Sequence, residues 1–112
     1  MSEAKALAAC RAYDHWAHEI KRLTSEIGAV ECPREGEPSP FATFPSHFRQ
    51  AADVRVGMGD RLTLDEIRKR VADCPECSRL CVLIAERREA RKRFGVAKRA
   101  VRRAGRTARV QP

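Results

Sequence analysis

Three cysteines fall within nine residues of the sequence, in the stretch DCPECSRLC at positions 73–81. Cys74 and Cys77 form a C-P-x-C motif, and because proline suits the first position of a helix, we predict that a helix begins at Pro75. The positive end of a helix stabilises thiolate anions, and two thiolates about 4 Å apart form half of a tetrahedral zinc site. The motif therefore indicates metal binding at a helix N-terminus.

Other residues can complete such a site. Cys81 lies one turn beyond Cys77 on the same helix face and can supply a third sulfur. Cys32, in ECPRE, follows the first predicted helix, whose end lies near the start of the last helix in a helical hairpin. His47 is the alternative ligand if Cys81 faces the core. We predict structural zinc bound by Cys32, Cys74, Cys77 and either Cys81 or His47.

Three alternatives to zinc remain open. The cysteines can be reduced, metal-free thiols that pack as small apolar residues. An iron–sulfur cluster suits the C-x2-C-x3-C spacing with a distant fourth cysteine. Disulfides are the least favoured alternative, because five cysteines is an odd number and the chain start has no apolar segment of signal-peptide type. We therefore expect a cytoplasmic protein with reduced thiols.

Apart from the candidate zinc ligands, few residues suggest a catalytic or metal-binding site. Cys10, Asp14 and His18 recur every four residues and could form a second metal stripe, but one thiol flanked by polar surface residues is the simpler interpretation. We find neither a nucleophile motif nor a paired-carboxylate site, so we expect no enzymatic activity and no small-molecule substrate. No segment approaches the roughly 20 apolar residues that a membrane span requires, so we expect no membrane partner.

Apolar periodicity predicts the helices that position these residues. The first helix runs to about Ile27, with Gly28 as its stop, and its apolar stripe recurs at spacings of three and four: Tyr13, Trp16, Ile20, Leu23 and Ile27. TLDEIRKRV predicts a short helix, since Thr63 and Glu66 stand in capping-box register. From Pro75 a second long stripe continues past Gly95. This glycine costs the helix about 1 kcal/mol relative to alanine and would allow a kink or break there, while an unbroken helix would extend over roughly 30 residues.

The segment between the long helices is predicted to be mostly loop. Residues 31–45 contain four prolines, and we expect Phe41, Phe44 and Phe48 to fold back onto the core. Residues 46–52 could form one short helix. The predicted fold is all-α: a long antiparallel helical hairpin with a short third helix and an ordered loop, stapled by zinc at one end. We divide it into a helical zinc-stapled domain, residues 1–95, and a basic C-terminal helix extension, residues 96–112.

The positive charge is concentrated at the C-terminal end. The net charge is +8, and residues 86–109 alone carry eleven Lys or Arg against two Glu. This imbalance favours an anionic partner such as nucleic acid, an acidic protein surface or anionic lipid, although a solvated helix face is the simplest explanation. Only Phe94 interleaves with the cations, so any nucleic-acid binding should be directed at the phosphate backbone. The candidate contact residues are Arg87, Arg88, Arg91, Lys92, Lys98, Arg99, Arg102 and Arg103.

Two stretches of the chain resemble small accessory proteins of bacteriophages and prophages. The first is HWAHEIKRLTSEIG followed by ECP, and the second is CPECSRLCVLIAERREARKRFGVAKRAV. The shared pattern is a W-x-x-E-I-x-R-L-T-x-x-I-G helix, a C-P, and a C-P-x-C that leads into a basic E-R-x-x-A-R helix with G-x-A-K-R. In that pattern Cys32, Cys74 and Cys77 fall on family positions.

The resemblance implies a protein that acts by binding, because phage accessory proteins of this size bind DNA, host enzymes or host defence complexes. It implies no catalytic activity. We expect a regulatory protein of this type that binds nucleic acid through its basic last helix, in the cytoplasm of a bacterial host. The alternative is an inhibitor or adaptor that docks on a host protein, such as an anti-defence or anti-CRISPR factor.

Overall fold

The computed structural model describes residues 3–33, 44–52, 55–56 and 60–110. The long first helix packs on the long last helix, so the predicted all-α fold is confirmed. A minimal antiparallel ladder joins two strands of two residues each, with Val56 opposite Asp60. The elements in chain order are α1 (Glu3–Ala29), α2 (Ser46–Ala52), β1 (Arg55–Val56), β2 (Asp60–Arg61), α3 (Leu64–Arg70) and α4 (Pro75–Val110).

Contacts divide the chain into two compact units. The helical unit comprises Met1–Leu23 and Glu86–Pro112, and the cysteine unit comprises Thr24–Ala85. The predicted division into residues 1–95 and 96–112 stays a prediction. The predicted loop falls largely on residues 34–43, and Phe41 with them lies outside the described residues.

The helical unit is held by a few aromatic contacts and by small side chains. The rings of Tyr13 and Phe94 pack with their centroids 4.8 Å apart. The guanidinium of Arg93 lies 5.4 Å from the centre of the Trp16 ring, a cation–π contact. Ala97 is buried, and alanine at such positions allows two helices to approach closely. The apolar periodicity at spacings of three and four thus becomes a seam between two helices.

The cysteine unit holds most of the buried side chains among the described residues. Its core is lined by aliphatic side chains and by four of the five cysteines, and no buried polar side chain is found among the residues that the structure describes. Phe48 is buried, and its ring lies 5.3 Å from that of Phe44, so these two predicted core aromatics do pack together. The fully buried side chains of this unit include Ile27, Val71, Cys74, Cys77, Leu80 and Cys81.

Gly28 lies at the end of its helix, close to the predicted stop, whereas Gly95 does not interrupt its helix. α1 continues through Gly28 and ends at Ala29, and α4 continues through Gly95 without a break. A glycine inside a helix costs only about 1 kcal/mol relative to alanine, and tertiary packing outweighs a penalty of that size. The predicted helix start at Pro75 is confirmed.

The start of α3 is fixed by the predicted capping box. The Thr63 hydroxyl oxygen accepts a hydrogen bond from the Glu66 backbone N–H, and the Glu66 carboxylate accepts one from the Thr63 backbone N–H at 3.1 Å. This backbone hydrogen bond, and then the one from the Thr63 hydroxyl, lower the pKa of Glu66. A lowered pKa means that the carboxylate form stabilises the cap, so its contribution is lost as the pH falls through that pKa.

Replacing Thr63 with alanine should lower the free energy of unfolding by about 1 kcal/mol, because the side-chain half of the cap disappears. Urea denaturation followed by circular dichroism measures the change. Thr24→Ala is the matched control, since Thr24 is an exposed threonine inside α1 and alanine is the better helix former there. If both variants have the same stability, Thr63 does not cap α3 in solution.

Candidate metal centre

Four potential metal ligands converge from three segments of the cysteine unit. Cys32 follows the end of α1, His47 lies in the first turn of α2, and Cys74 and Cys77 flank the start of α4. Their sulfur and ring-nitrogen atoms all lie within 4.8 Å of one another. In the described ranges this is the only group of three or more such ligands.

A tight turn between α3 and α4 positions the C-P-x-C cysteines. The Val71 carbonyl accepts hydrogen bonds from the Cys74 backbone N–H at 2.9 Å and from the Ser78 hydroxyl at 3.1 Å. The Ser78 backbone N–H donates to the Cys74 carbonyl, which closes the first turn of α4. Cys74 thus precedes Pro75 at the helix N-terminus, as the motif predicted.

Helix α2 brings His47 to the three thiols. The Arg49 backbone N–H donates to the Pro45 carbonyl at 3.0 Å, and its guanidinium donates to the Phe44 carbonyl at 3.1 Å. Phe48, the residue after His47, is buried and anchors this short helix in the core. A seven-residue helix has little stability of its own, so these contacts decide where the imidazole lies.

Four of the distances between the ligand atoms are equal to or slightly shorter than those of a tetrahedral zinc site. Cys32 Sγ lies 3.5 Å from Cys74 Sγ and 3.6 Å from Cys77 Sγ. His47 Nδ1 lies 3.5 Å from Cys32 Sγ and 3.3 Å from Cys77 Sγ. With Zn–S bonds of about 2.3 Å and Zn–N bonds of about 2.0–2.1 Å, a tetrahedral ion separates its ligands by about 3.6–3.8 Å. These four distances agree with that spacing to within a few tenths of an ångström, and all six lie below 4.8 Å, so the group could hold one zinc ion.

The donor set matches the preferences of zinc. Three sulfurs and one imidazole nitrogen form one of the common structural zinc sets. A cluster of several iron ions would hold its protein ligands further apart than one ion does, so the spacing fits a single ion better. All five cysteines are free thiols, and no disulfide joins any of them.

The buried environment of the thiols disfavours the thiolate form unless a cation is bound beside it. Burial raises the pKa of the Cys77 thiol far above its usual range, and the adjacent Cys74 and Cys32 thiols raise it further. A bound divalent cation reverses this preference, because it binds the thiolate and releases the proton. Metal binding should therefore release protons and weaken as the pH falls.

Cys81 lies outside the group, and His47 takes the fourth position. Cys81 is buried, and burial raises the pKa of its thiol. Residues four apart on a helix can share a metal ion, but Cys81 is not among the residues whose ligand atoms converge here. Of the two candidates for the fourth ligand, the structure brings the imidazole to the site. The sequence signal for His47 was weak, because a Pro-rich loop separates it from the other ligands.

The second predicted metal stripe does not form a group. Cys10, Asp14 and His18 are all exposed on α1, and they do not appear in any ligand cluster among the described residues. Exposure leaves them solvated, in agreement with the simpler interpretation.

The candidate contact residues all lie on α4, and seven of the eight are exposed: Arg88, Arg91, Lys92, Lys98, Arg99, Arg102 and Arg103. Arg87 is half-buried, and its pKa is lowered by burial and then by the positive charges of Arg91 and Arg88. Within the part of the chain that the structure describes, no helix is both long enough and apolar enough to cross a membrane.

No protein-family model, curated protein or solved structure matches the chain.

Proposed function

We propose that the chain is a non-catalytic, zinc-stabilised protein that binds nucleic acid through the basic outer face of α4. The observation that carries this proposal is the exposure of a dense set of cations on one helix. Residues 86–109 hold eleven Lys or Arg and only two Glu, so the helix cannot neutralise its own charge. An anionic polymer supplies many negative charges along a line, which is the complement of such a helix.

Zinc takes a structural role in this proposal. The three sulfurs and the imidazole leave no coordination position for water or substrate, as in structural rather than catalytic zinc sites. The ion would tie α2 and the end of α1 to the start of α4. The expected function is that of a phage-type accessory or regulatory protein in the bacterial cytoplasm, in line with the sequence pattern described above.

The crowding of positive charges on α4 supports an anionic partner. Burial, and then the positive charges of Arg91 and Arg88, lower the pKa of Arg87, so part of this shift comes from repulsion among the three cations. Of the two glutamates in this stretch, Glu89 already pairs with Arg93 at 3.1 Å. Phosphate groups placed against this face would relieve the repulsion, and they would release counterions from the nucleic acid.

A second candidate is docking on a host protein, as an inhibitor or adaptor of the anti-defence kind. An apolar groove of about 430 Å³ in the helical unit favours it. Trp16 and Val96 line this groove, and Val96 is 56% exposed. A protein interface would use this groove, whereas phosphate contacts would use the cations.

Salt dependence tests the leading proposal. The affinity of the intact protein for a labelled nucleic acid, measured by fluorescence anisotropy, should fall about 10³-fold or more between about 50 and 200 mM salt if at least six phosphates are contacted. Binding that is absent at low salt would reject nucleic acid as the partner. A pull-down from host lysate, with and without nuclease, would then show whether a protein is held instead.

A further inference from the structure

Three adjacent pairs of exposed cations follow one another along α4. They are Arg91–Lys92, Lys98–Arg99 and Arg102–Arg103. Successive residues of an α-helix point about 100° apart, and residues seven or eleven apart point in nearly the same direction. Each pair therefore contributes one cation to each of two parallel rows. One row holds Arg91, Lys98 and Arg102, and the other holds Lys92, Arg99 and Arg103.

Gly95 lies on the midline between the two rows. Nothing in the fold requires a glycine at this position, because a Cβ atom added there would meet only the guanidinium of Arg99, at an ordinary contact distance of 3.6 Å. The helix runs through the position without a break. A glycine thus weakens the helix at the centre of its most charged face, and it lets another molecule approach the backbone closely there.

We propose that α4 lies in the major groove of B-form duplex DNA, with each cation row on the phosphates of one groove wall and Gly95 toward the floor. This inference rests on the proposed function, and it names the kind of nucleic acid. An α-helix with its side chains is about 10–12 Å across, and the major groove is about 12 Å wide.

Other nucleic acids fit this face less well. The major groove of A-form RNA is too deep and narrow for a helix, and a single strand offers phosphates to one row only. The face also lacks aromatic side chains on which bases of a single strand could stack, since Phe94 is half-buried against Tyr13. Two rows on one helix need two phosphate walls, and the B-form groove provides both.

Gly95→Leu tests the approach of the helix to the groove floor. The leucine should raise the melting temperature, since it is a better helix former, and should weaken binding to a DNA duplex about tenfold because both rows are held away from the phosphates. Opposite signs for stability and affinity exclude a folding defect. Gly28→Leu is the matched control, because Gly28 also lies in a helix with open space around it; this variant should keep the wild-type affinity.

Substitutions in the rows test the two-wall contact. Lys98→Gln and Arg99→Gln should each lower the salt slope of duplex binding by about one phosphate contact. Arg93→Gln is the control, because Arg93 lies off both rows against Trp16. A loss confined to one row would overturn the groove geometry and leave a one-sided contact.

Comparison of probes separates this inference from the proposed function. Duplex DNA should bind at least tenfold more tightly than duplex RNA of the same length, or than single-stranded DNA with the same number of phosphates. Equal affinities, or an unchanged duplex affinity in Gly95→Leu, would overturn the groove arrangement while salt-dependent binding would still support the proposed function. If none of the three probes binds, both fail together.

Discussion

Replacing Cys77 with alanine should abolish zinc binding and unfold the cysteine unit, whereas the same replacement at Cys81 should leave the zinc in place. Both side chains are almost fully buried and lie one turn apart on α4, so the packing lost is the same. That loss costs about 1–2 kcal/mol for one small side-chain atom. Only Cys77 also gives up a metal ligand.

The difference between the two variants should be large. Structural zinc contributes about 10–16 kcal/mol of apparent binding free energy in small zinc-binding peptides, as much as the whole stability of a typical domain. Metal analysis of protein purified without added metal should find one zinc per chain in the wild type and in Cys81→Ala, and none in Cys77→Ala. Circular dichroism should show lost helix and no cooperative melting of the cysteine unit in Cys77→Ala alone.

His47→Ala completes the assignment of the fourth ligand. It should release the metal as Cys77→Ala does, because the imidazole closes the tetrahedron. If zinc remained bound in His47→Ala but were lost in Cys81→Ala, the fourth ligand would be Cys81 and not His47. Iron in the purified protein would replace the zinc assignment altogether.

Replacing all six paired cations of α4 with glutamine should remove almost all affinity for nucleic acid. Each neutralised phosphate contributes about 0.9 to the slope of log affinity against log salt, so the loss of six contacts should reduce affinity at least about 10³-fold near 50 mM salt and flatten the slope. The change in melting temperature should be small, because exposed cations contribute little to stability.

A triple variant on α3 is the control for charge alone. Arg68, Lys69 and Arg70 are also exposed, and their replacement by glutamine should leave binding nearly unchanged. If the α3 variant loses as much affinity per charge removed, the attraction is a general effect of net charge and α4 is not the binding face. If the six-residue variant keeps its affinity, nucleic acid is bound elsewhere or the partner is a protein.

Local signals predicted the helices well because their causes lie within a few residues. The capping box at Thr63 and Glu66 and the proline at position 75 act on the backbone beside them, and the structure confirms both helix starts. Gly28 marked the end of α1 to within one residue, whereas Gly95 left open whether α4 is broken, since a local cost of about 1 kcal/mol is outweighed where the apolar face of a helix is packed.

The ligand set was only partly predictable for a physical reason. The C-P-x-C pair is set by one turn, but the fourth ligand depends on how α2 packs against α3 and the thiols. Tertiary packing thus decides between Cys81 and His47, and the spacing of residues in the sequence does not reveal that packing. The division into two units was predictable at one of its two boundaries only. The boundary at Glu86 coincides with the start of the basic stretch, whereas the boundary after Leu23 falls inside the continuous apolar stripe of α1.

Trp16 makes the two units separately visible by spectroscopy. It is the only tryptophan of the chain, and its indole contacts the Arg93 guanidinium and the His15 ring, both in the helical unit. Its fluorescence therefore follows the helical unit, while cobalt bound in place of zinc would give visible absorption from thiolate coordination in the cysteine unit. Denaturation followed with both signals would show whether the units unfold in one cooperative step or in two.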